Sequence, residues 1–197
     1  MKRNINWVAD DRLFTLHEKS STLSVQTIPA PPNGTVTTIA SVSIIPRNPP
    51  PGAVYAAAEI LIPSPNSQYP KSYIYVSNRN TGVPAPAGDS IAIFEHVNQG
   101  RKNEGLVLKN QVFTGLSQIR GMKIGNDAYG GNQYLIAGAY AGKGGVAIFR
   151  RTDGGENLEI VARNHDVDTR TSFVWVWYSS EVSLTSGWCD DIFFGEI

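Results

Sequence analysis

Short segments of alternating apolar and polar residues, separated by turns rich in glycine and proline, run along most of this chain. Three pairs of segments share one order: an apolar strand, a polar turn, and a second strand rich in β-branched residues. The pairs begin at Leu13, Tyr73 and Tyr134, so the pattern recurs after 60 and then 61 residues. Apolar residues at helical spacing are not sustained anywhere without an intervening Gly or Pro. The pattern therefore predicts an all-β fold built from a repeat.

The predicted strand pairs are 13–18 with 22–28, 73–79 with 90–95, and 134–140 with 145–150. A further strand is predicted after each pair, at 35–45, 106–113 and 158–162, and before the second and third pairs, at 56–62 and 119–124. Four short antiparallel strands per unit are typical of a β-propeller blade. The sequence thus predicts about three blades, and a β-sandwich is the alternative architecture.

The repeat is longer than the roughly 40–50 residues of common propeller repeats, which indicates long connecting loops between the strands. Two proline-rich stretches, 46–53 and 63–71, are the predicted loops.

Composition narrows the classes of partner. The 197 residues include 17 Lys and Arg and 17 Asp and Glu, so no net charge attracts nucleic acid or an anionic membrane. Any anion must then be recognised locally, by a few arginines. The single cysteine, Cys189, excludes an internal disulfide and fits a reducing compartment. With no signal-peptide pattern after Met1 and no apolar run of about 20 residues, we expect a cytoplasmic protein without a membrane partner.

Three stretches together resemble the lactonase family of seven-bladed β-propellers: 75–80 (YVSNRN), 89–94 (DSIAIF) and 115–122 (GLSQIRGM). That family includes bacterial 6-phosphogluconolactonases and fungal carboxy-cis,cis-muconate cyclases, and 94–100 (FEHVNQG) is most similar to the fungal branch. The resemblance extends from about Trp7 to about Trp175 and covers only the C-terminal half of a family member. It implies a partial propeller at 1–175, whose last segment, 169–175, is similar to the family's final strand. An atypical C-terminal tail would follow at 176–197.

The resemblance implies a cyclase-like activity, in which a carboxylate of a carboxylated muconate adds to a double bond and closes a lactone. Such a substrate is a small polyanion, so arginines should bind its carboxylates and one group should act as acid or base. No metal or organic cofactor is expected. Two alternatives stay open: a lactone hydrolase of the 6-phosphogluconolactonase type, and an inactive propeller fragment or non-catalytic binding module. Exposed blade faces could also allow self-association.

Matching to family positions assigns three candidate site residues. Glu18, at the end of a blade strand, is the candidate acid/base, and Arg79 and Arg120 are the candidate substrate-binding residues. The stretch around Arg120 is similar to the Pro-Arg-Gly of other members, with Ile119 in place of proline. A structural alternative applies to all three, since a glutamate near two arginines can be an ion-pair network that holds strands in register. Adjacent strand residues point to opposite faces, so if Glu18 faces the channel, His17 is expected to face the blade interior or the neighbouring blade.

Overall fold

The structure is a computed structural model that describes residues 4–9, 11–29, 31–32, 34–127, 130–142, 145–168 and 172–176. Within these residues three four-stranded antiparallel sheets form, each a simple meander. The predicted all-β fold, with four short strands per repeat, is confirmed. The described residues also include two short 3₁₀ turns, Gly131–Gln133 and Asp153–Gly155.

Sheet 1 contains β1 (Asn4–Ala9), β2 (Arg12–His17), β3 (Thr22–Thr27) and β4 (Thr38–Ser43). Sheet 2 contains β5 (Tyr55–Leu61), β6 (Tyr73–Asn80), β7 (Ser90–Val97) and β8 (Gly105–Phe113). Sheet 3 contains β9 (Ser117–Ile124), β10 (Tyr134–Ala141), β11 (Val146–Thr152) and β12 (Asn157–Asn164).

One strand, β1, was missed by the sequence pattern. Its residues, NINWVA, alternate between polar and apolar only from Asn4 to Trp7, which is the shortest alternation that indicates a strand. The strand exists because it pairs with β2 along its full length, from Asn4 opposite His17 to Ala9 opposite Arg12. Pairing with a neighbour therefore supplies what the local sequence lacks, and the first repeat has the same four strands as the others.

The sheets stack face to face, and the middle sheet is buried on both sides. On β6, Ile74 and Val76 belong to the apolar core shared with sheet 1, while Tyr73 and Tyr75 belong to the core shared with sheet 3. Every residue of β6 is buried. A strand covered on both faces needs a continuous apolar run, and this stretch of the second repeat supplies one up to Val76.

The first strands of the three sheets, β1, β5 and β9, lie at corresponding edges. Strand β5 approaches β1 on one side and β9 on the other. We call these three the inner strands. In a propeller the inner strands surround the central channel, so side chains at their edges are placed to meet a ligand there.

The outer face of sheet 3 is covered by residues 172–176. Phe173 and Trp175 pack against an apolar cluster on β10 and β11, made of Ile136, Val146 and Ile148. The intervening Val174 and Val176 are 83% exposed. This segment forms no ladder with the described strands, and 169–171 lie outside the described residues. The predicted C-terminal tail, apart from Val176, also lies outside them.

Candidate functional site

Glu18 and Arg79 are brought into contact. Glu18 follows β2 in the turn to β3, and Arg79 is the penultimate residue of β6. Arg79 Nη2 donates a hydrogen bond of 2.6 Å to Glu18 Oε1, and the two side chains are 7% and 23% exposed. The ion pair therefore joins sheet 1 to sheet 2 in a largely desolvated position.

This ion pair lies beside the inner strand β5. The amide of Ala57 donates to the Glu18 carbonyl at 3.2 Å, and Arg79 Nη2 lies 3.5 Å from the Ala57 carbonyl oxygen. The ion pair therefore bonds sheets 1 and 2 together, as the structural alternative predicts. The buried Nε–H of Arg79 has no hydrogen-bond acceptor among the described residues.

Arg120, unlike Arg79, lies on a β-bulge and contacts an aromatic ring. On β9, Ile119 pairs with Ala139 and Gly121 with Gly138, so Arg120 is the extra residue of a β-bulge. Its guanidinium lies 4.8 Å from the ring centroid of Tyr140. No carboxylate in the described part of the chain pairs with it. A half-buried arginine resting on an aromatic ring retains its donors for an anionic ligand.

Asp89 connects the strands that carry the two arginines. It is 2% exposed, and its carboxylate accepts from the Asn80 amide at 2.8 Å and from the Ile119 amide at 2.7 Å. Burial raises its pKa, and these amides together with the charge of Arg79 oppose the rise. In the sequence, Asp89 stands out only as the first residue of the motif at 89–94. Its position between the end of β6 and the bulge of β9 fixes Arg79 relative to Arg120.

Glu59 is a further carboxylate on an inner strand, and it lies outside the three stretches that resemble the lactonase family. Burial raises its pKa, while the Ile60 N–H and the charge of Lys123 oppose the rise. Its amide donates to Ser77 Oγ at 2.9 Å. The one signal in the sequence is a lone acidic residue in the apolar strand YAAAEIL.

Other polar side chains serve packing. His17 is half-buried, and its Nε2 lies 2.9 Å from Ser24 Oγ, so this histidine has a hydrogen-bond partner within its own sheet. Arg151 is buried between Tyr69 and Tyr75, with its guanidinium carbon 3.8 and 5.4 Å from their ring centroids. Within the described ranges, no group of three or more His, Cys, Asp and Glu side chains could hold a metal ion, and no helix has the length and apolarity to cross a membrane.

No sequence family and no curated protein matches this chain. Solved structures do match. A protein from Lactobacillus plantarum superposes with a TM-score of 0.61 at 19% identity, over 82% of this chain and 40% of that one. A candidate 6-phosphogluconolactonase from Bacteroides fragilis gives 0.61 at 19% identity, over 86% and 40%. The periplasmic gluconolactonase of Pseudomonas aeruginosa gives 0.61 at 12% identity, over 85% and 40%.

This chain has part of a lactonase-type β-propeller fold. It spans about 40% of the length of the propellers it matches. At identities of 12–19% these superpositions establish the fold alone, so the roles of Glu18, Arg79 and Arg120 stay predictions. Two of these propellers carry the names of lactonases, a candidate 6-phosphogluconolactonase and a gluconolactonase.

Proposed function

We propose that this chain supplies part of a site that hydrolyses an anionic sugar lactone. Arg120 is the observation that carries the proposal: a cation on the bulge of an inner strand, with no carboxylate partner among the described residues. The fold shared with gluconolactonase propellers supports lactones as the substrate class.

Lactone hydrolysis needs three things from the protein. A cation must hold the anionic group of the substrate or the oxyanion that forms on the carbonyl, and we assign this to Arg120. A base must take a proton from the attacking water, and we assign this to Glu18. A positioning group must hold the base, and the 2.6 Å bond from Arg79 suits that role. The chemistry requires no metal or organic cofactor.

A non-catalytic anion-binding module is the second candidate. Its support is that Glu18 and Arg79 already satisfy one another. The cyclase remains the third, since the same arginines could bind the carboxylates of a muconate. Its support is the resemblance of 94–100 to the fungal branch.

The test is hydrolysis of 6-phosphogluconolactone by the full chain, measured above the spontaneous rate. Arg120→Gln should lower kcat/KM by about 10–100-fold, the loss expected for one charge-assisted hydrogen bond. The loss should be smaller for uncharged glucono-δ-lactone. The matched control is Arg150→Gln, which removes an exposed arginine on β11 and should leave kcat/KM unchanged.

Three results would overturn the proposal. Binding of the lactone without turnover would identify the anion-binding module. Loss of diene absorbance with 3-carboxy-cis,cis-muconate, without lactone hydrolysis, would identify the cyclase. Equal effects of the Arg120 and Arg150 substitutions would remove Arg120 from the site.

A further inference from the structure

We propose that Glu59 is the general acid of this site, protonating the ring oxygen that leaves when the lactone opens. The inference rests on the proposed hydrolysis and adds a second carboxyl group to it. Strand β5 holds Glu59 at a β-bulge, and the surroundings of Glu59 differ from those of Glu18.

The pattern along β5 gives the face on which Glu59 lies. Ile60 and Ile62 belong to the core between sheets 1 and 2, while Leu61 packs against the core between sheets 2 and 3. Successive side chains of a strand alternate between faces, so Glu59 lies on the same side as Leu61 and faces sheet 3. Lys123 of β9 is the charged group that acts on it from that sheet.

The strand that carries Glu59, β5, and the neighbouring inner strand, β9, each contain a β-bulge at the corresponding position. On β5, Ala57 pairs with Asn78 and Ile60 with Val76, so Ala58 and Glu59 together oppose Ser77. On β9, Arg120 is the extra residue. Bulges re-aim side chains and are frequent beside active sites. The Ser77 hydroxyl, 2.9 Å from the Glu59 amide, satisfies the backbone group that the irregular ladder would otherwise leave unpaired.

The same stretch of β5 connects Glu59 with the predicted base. The amide of Ala57 is bonded to the carbonyl of Glu18, and Glu59 is two residues further along the strand, which spans about 7 Å when fully extended. Glu18 is ion-paired with Arg79, whereas Glu59 has no ion pair among the described residues. The two carboxyl groups therefore differ in their surroundings, which suits them to different roles in one reaction.

The reaction balances with these two groups. Water attacks the lactone carbonyl carbon while Glu18 accepts one proton from it. The tetrahedral intermediate then expels the ring oxygen, the C–O bond breaks, and the Glu59 carboxylic acid gives its proton to that oxygen, which becomes a hydroxyl group. The product carboxylic acid and the protonated Glu18 lose their protons to solvent, and Glu59 regains one from it.

Burial favours the protonated form of Glu59 and raises its pKa, whereas Lys123 and the Ile60 N–H favour the carboxylate. A group held between these influences can give up a proton and recover it. Activity should therefore fall on the alkaline side as Glu59 loses its proton.

The test compares two lactones that differ in leaving group, using the full chain. For 6-phosphogluconolactone, Glu59→Gln should lower kcat by about 10²–10⁴-fold with KM little changed, and should remove the alkaline limb of the pH profile. For an aryl lactone, whose phenolic oxygen has a pKa near 10 and leaves without a proton, the same variant should keep most of its activity. Glu59→Asp should restore part of the lost rate. The matched control, Glu159→Gln, changes an exposed carboxylate on β12 and should leave both rates unchanged.

Each outcome separates this inference from the proposed function. If the unsubstituted chain hydrolyses neither lactone, the proposed function is wrong and the acid role fails with it. If the chain is active and Glu59→Gln is equally active, hydrolysis stands and the acid role is wrong. Equal losses on both lactones, with an unchanged pH profile, would show that Glu59 only maintains the fold.

Discussion

Glu104, just before β8, joins sheets 1 and 2 through several partners. Arg12 of β2 donates to its two carboxylate oxygens at 2.6 and 3.0 Å, and the Gly100 amide donates at 2.7 Å. His96 Nε2 lies 2.9 Å from the same carboxylate, and Phe14 packs edge-on against the His96 ring. A carboxylate that accepts this many hydrogen bonds favours its charged form.

We expect the ionised Glu104 carboxylate to stabilise the fold and this stabilisation to be lost in acid. Hydrogen bonds from Arg12, Gly100 and His96 lower the pKa of Glu104 from 4.5 to about 2. A carboxyl group with a lowered folded-state pKa stabilises the fold above its unfolded pKa, and this stabilisation is lost as the pH falls from 4.5 towards 2. Glu104→Gln should therefore lower the free energy of unfolding by about 2 kcal/mol at pH 7 and by much less at pH 2–3. Urea unfolding at both pH values measures the difference.

Glu159→Gln is the control for this prediction. Glu159 pairs with Arg150 while both side chains are about half exposed, and an exposed pair contributes at most about 1 kcal/mol. The prediction would be wrong if Glu104→Gln cost as much near pH 2 as at pH 7.

At the scale of elements, the turns and bulges of one sheet are fitted to side chains of its neighbour. The turn between β11 and β12 is the best example. Tyr75 Oη of sheet 2 donates to the Gly155 carbonyl at 2.6 Å, and Arg151 Nε donates to Tyr75 Oη at 3.0 Å. Gly155 has φ of +102°, and a β-carbon there would lie 2.9 Å from Tyr75 Oη.

The two glycines of this turn make a matched pair. Gly154 also has a positive φ, +65°, but a β-carbon there would meet nothing within 4 Å. Gly154→Ala should therefore cost about 1 kcal/mol, the penalty for a left-handed alanine. Gly155→Ala should cost about 2–4 kcal/mol, because steric crowding adds to the backbone strain. Thermal or urea unfolding of both variants checks the order, and equal losses would show that Tyr75 and Arg151 move aside freely.

At the scale of the whole molecule, the stack of three sheets has two unlike end faces. On sheet 1, two residues that alternate with the buried Phe14 and Leu16 are polar: Thr15 donates to Gln26 at 2.8 Å, and His17 contacts Ser24. On sheet 3 the end face is apolar and covered by 172–176. Uncovered apolar faces of this kind promote association, so this segment should oppose it.

Removing the cover should make the chain associate. The double variant Phe173→Ala and Trp175→Ala should increase binding of a hydrophobic dye and shift sedimentation towards larger species as concentration rises. The double variant Val174→Ala and Val176→Ala changes the exposed side of the same segment and should do neither. If both double variants stay monomeric at every concentration, the self-association proposed for the blade faces does not involve this face.

Local pattern was sufficient for the strands whose own residues carry the signal. The strands around Ile74, Ile91 and Ala147 were predicted within a few residues, because burial on both faces demands long runs of apolar and β-branched side chains. The spacing of the repeat likewise predicted three similar units, because each unit contains the same order of strands and turns.

Packing between sheets decided the rest. Strand β1 exists through its ladder with β2, and the contact between Glu18 and Arg79 forms only when sheets 1 and 2 stack. The bulges that single out Glu59 and Arg120 are mismatches between paired strands, so neither strand shows them alone. Residue types and periodicity thus specify the blades, whereas the surroundings of each charged side chain depend on neighbours distant in sequence. Charge and hydrogen-bond effects act through space and not along the chain, and for that reason the candidate site could be assembled only from the folded structure.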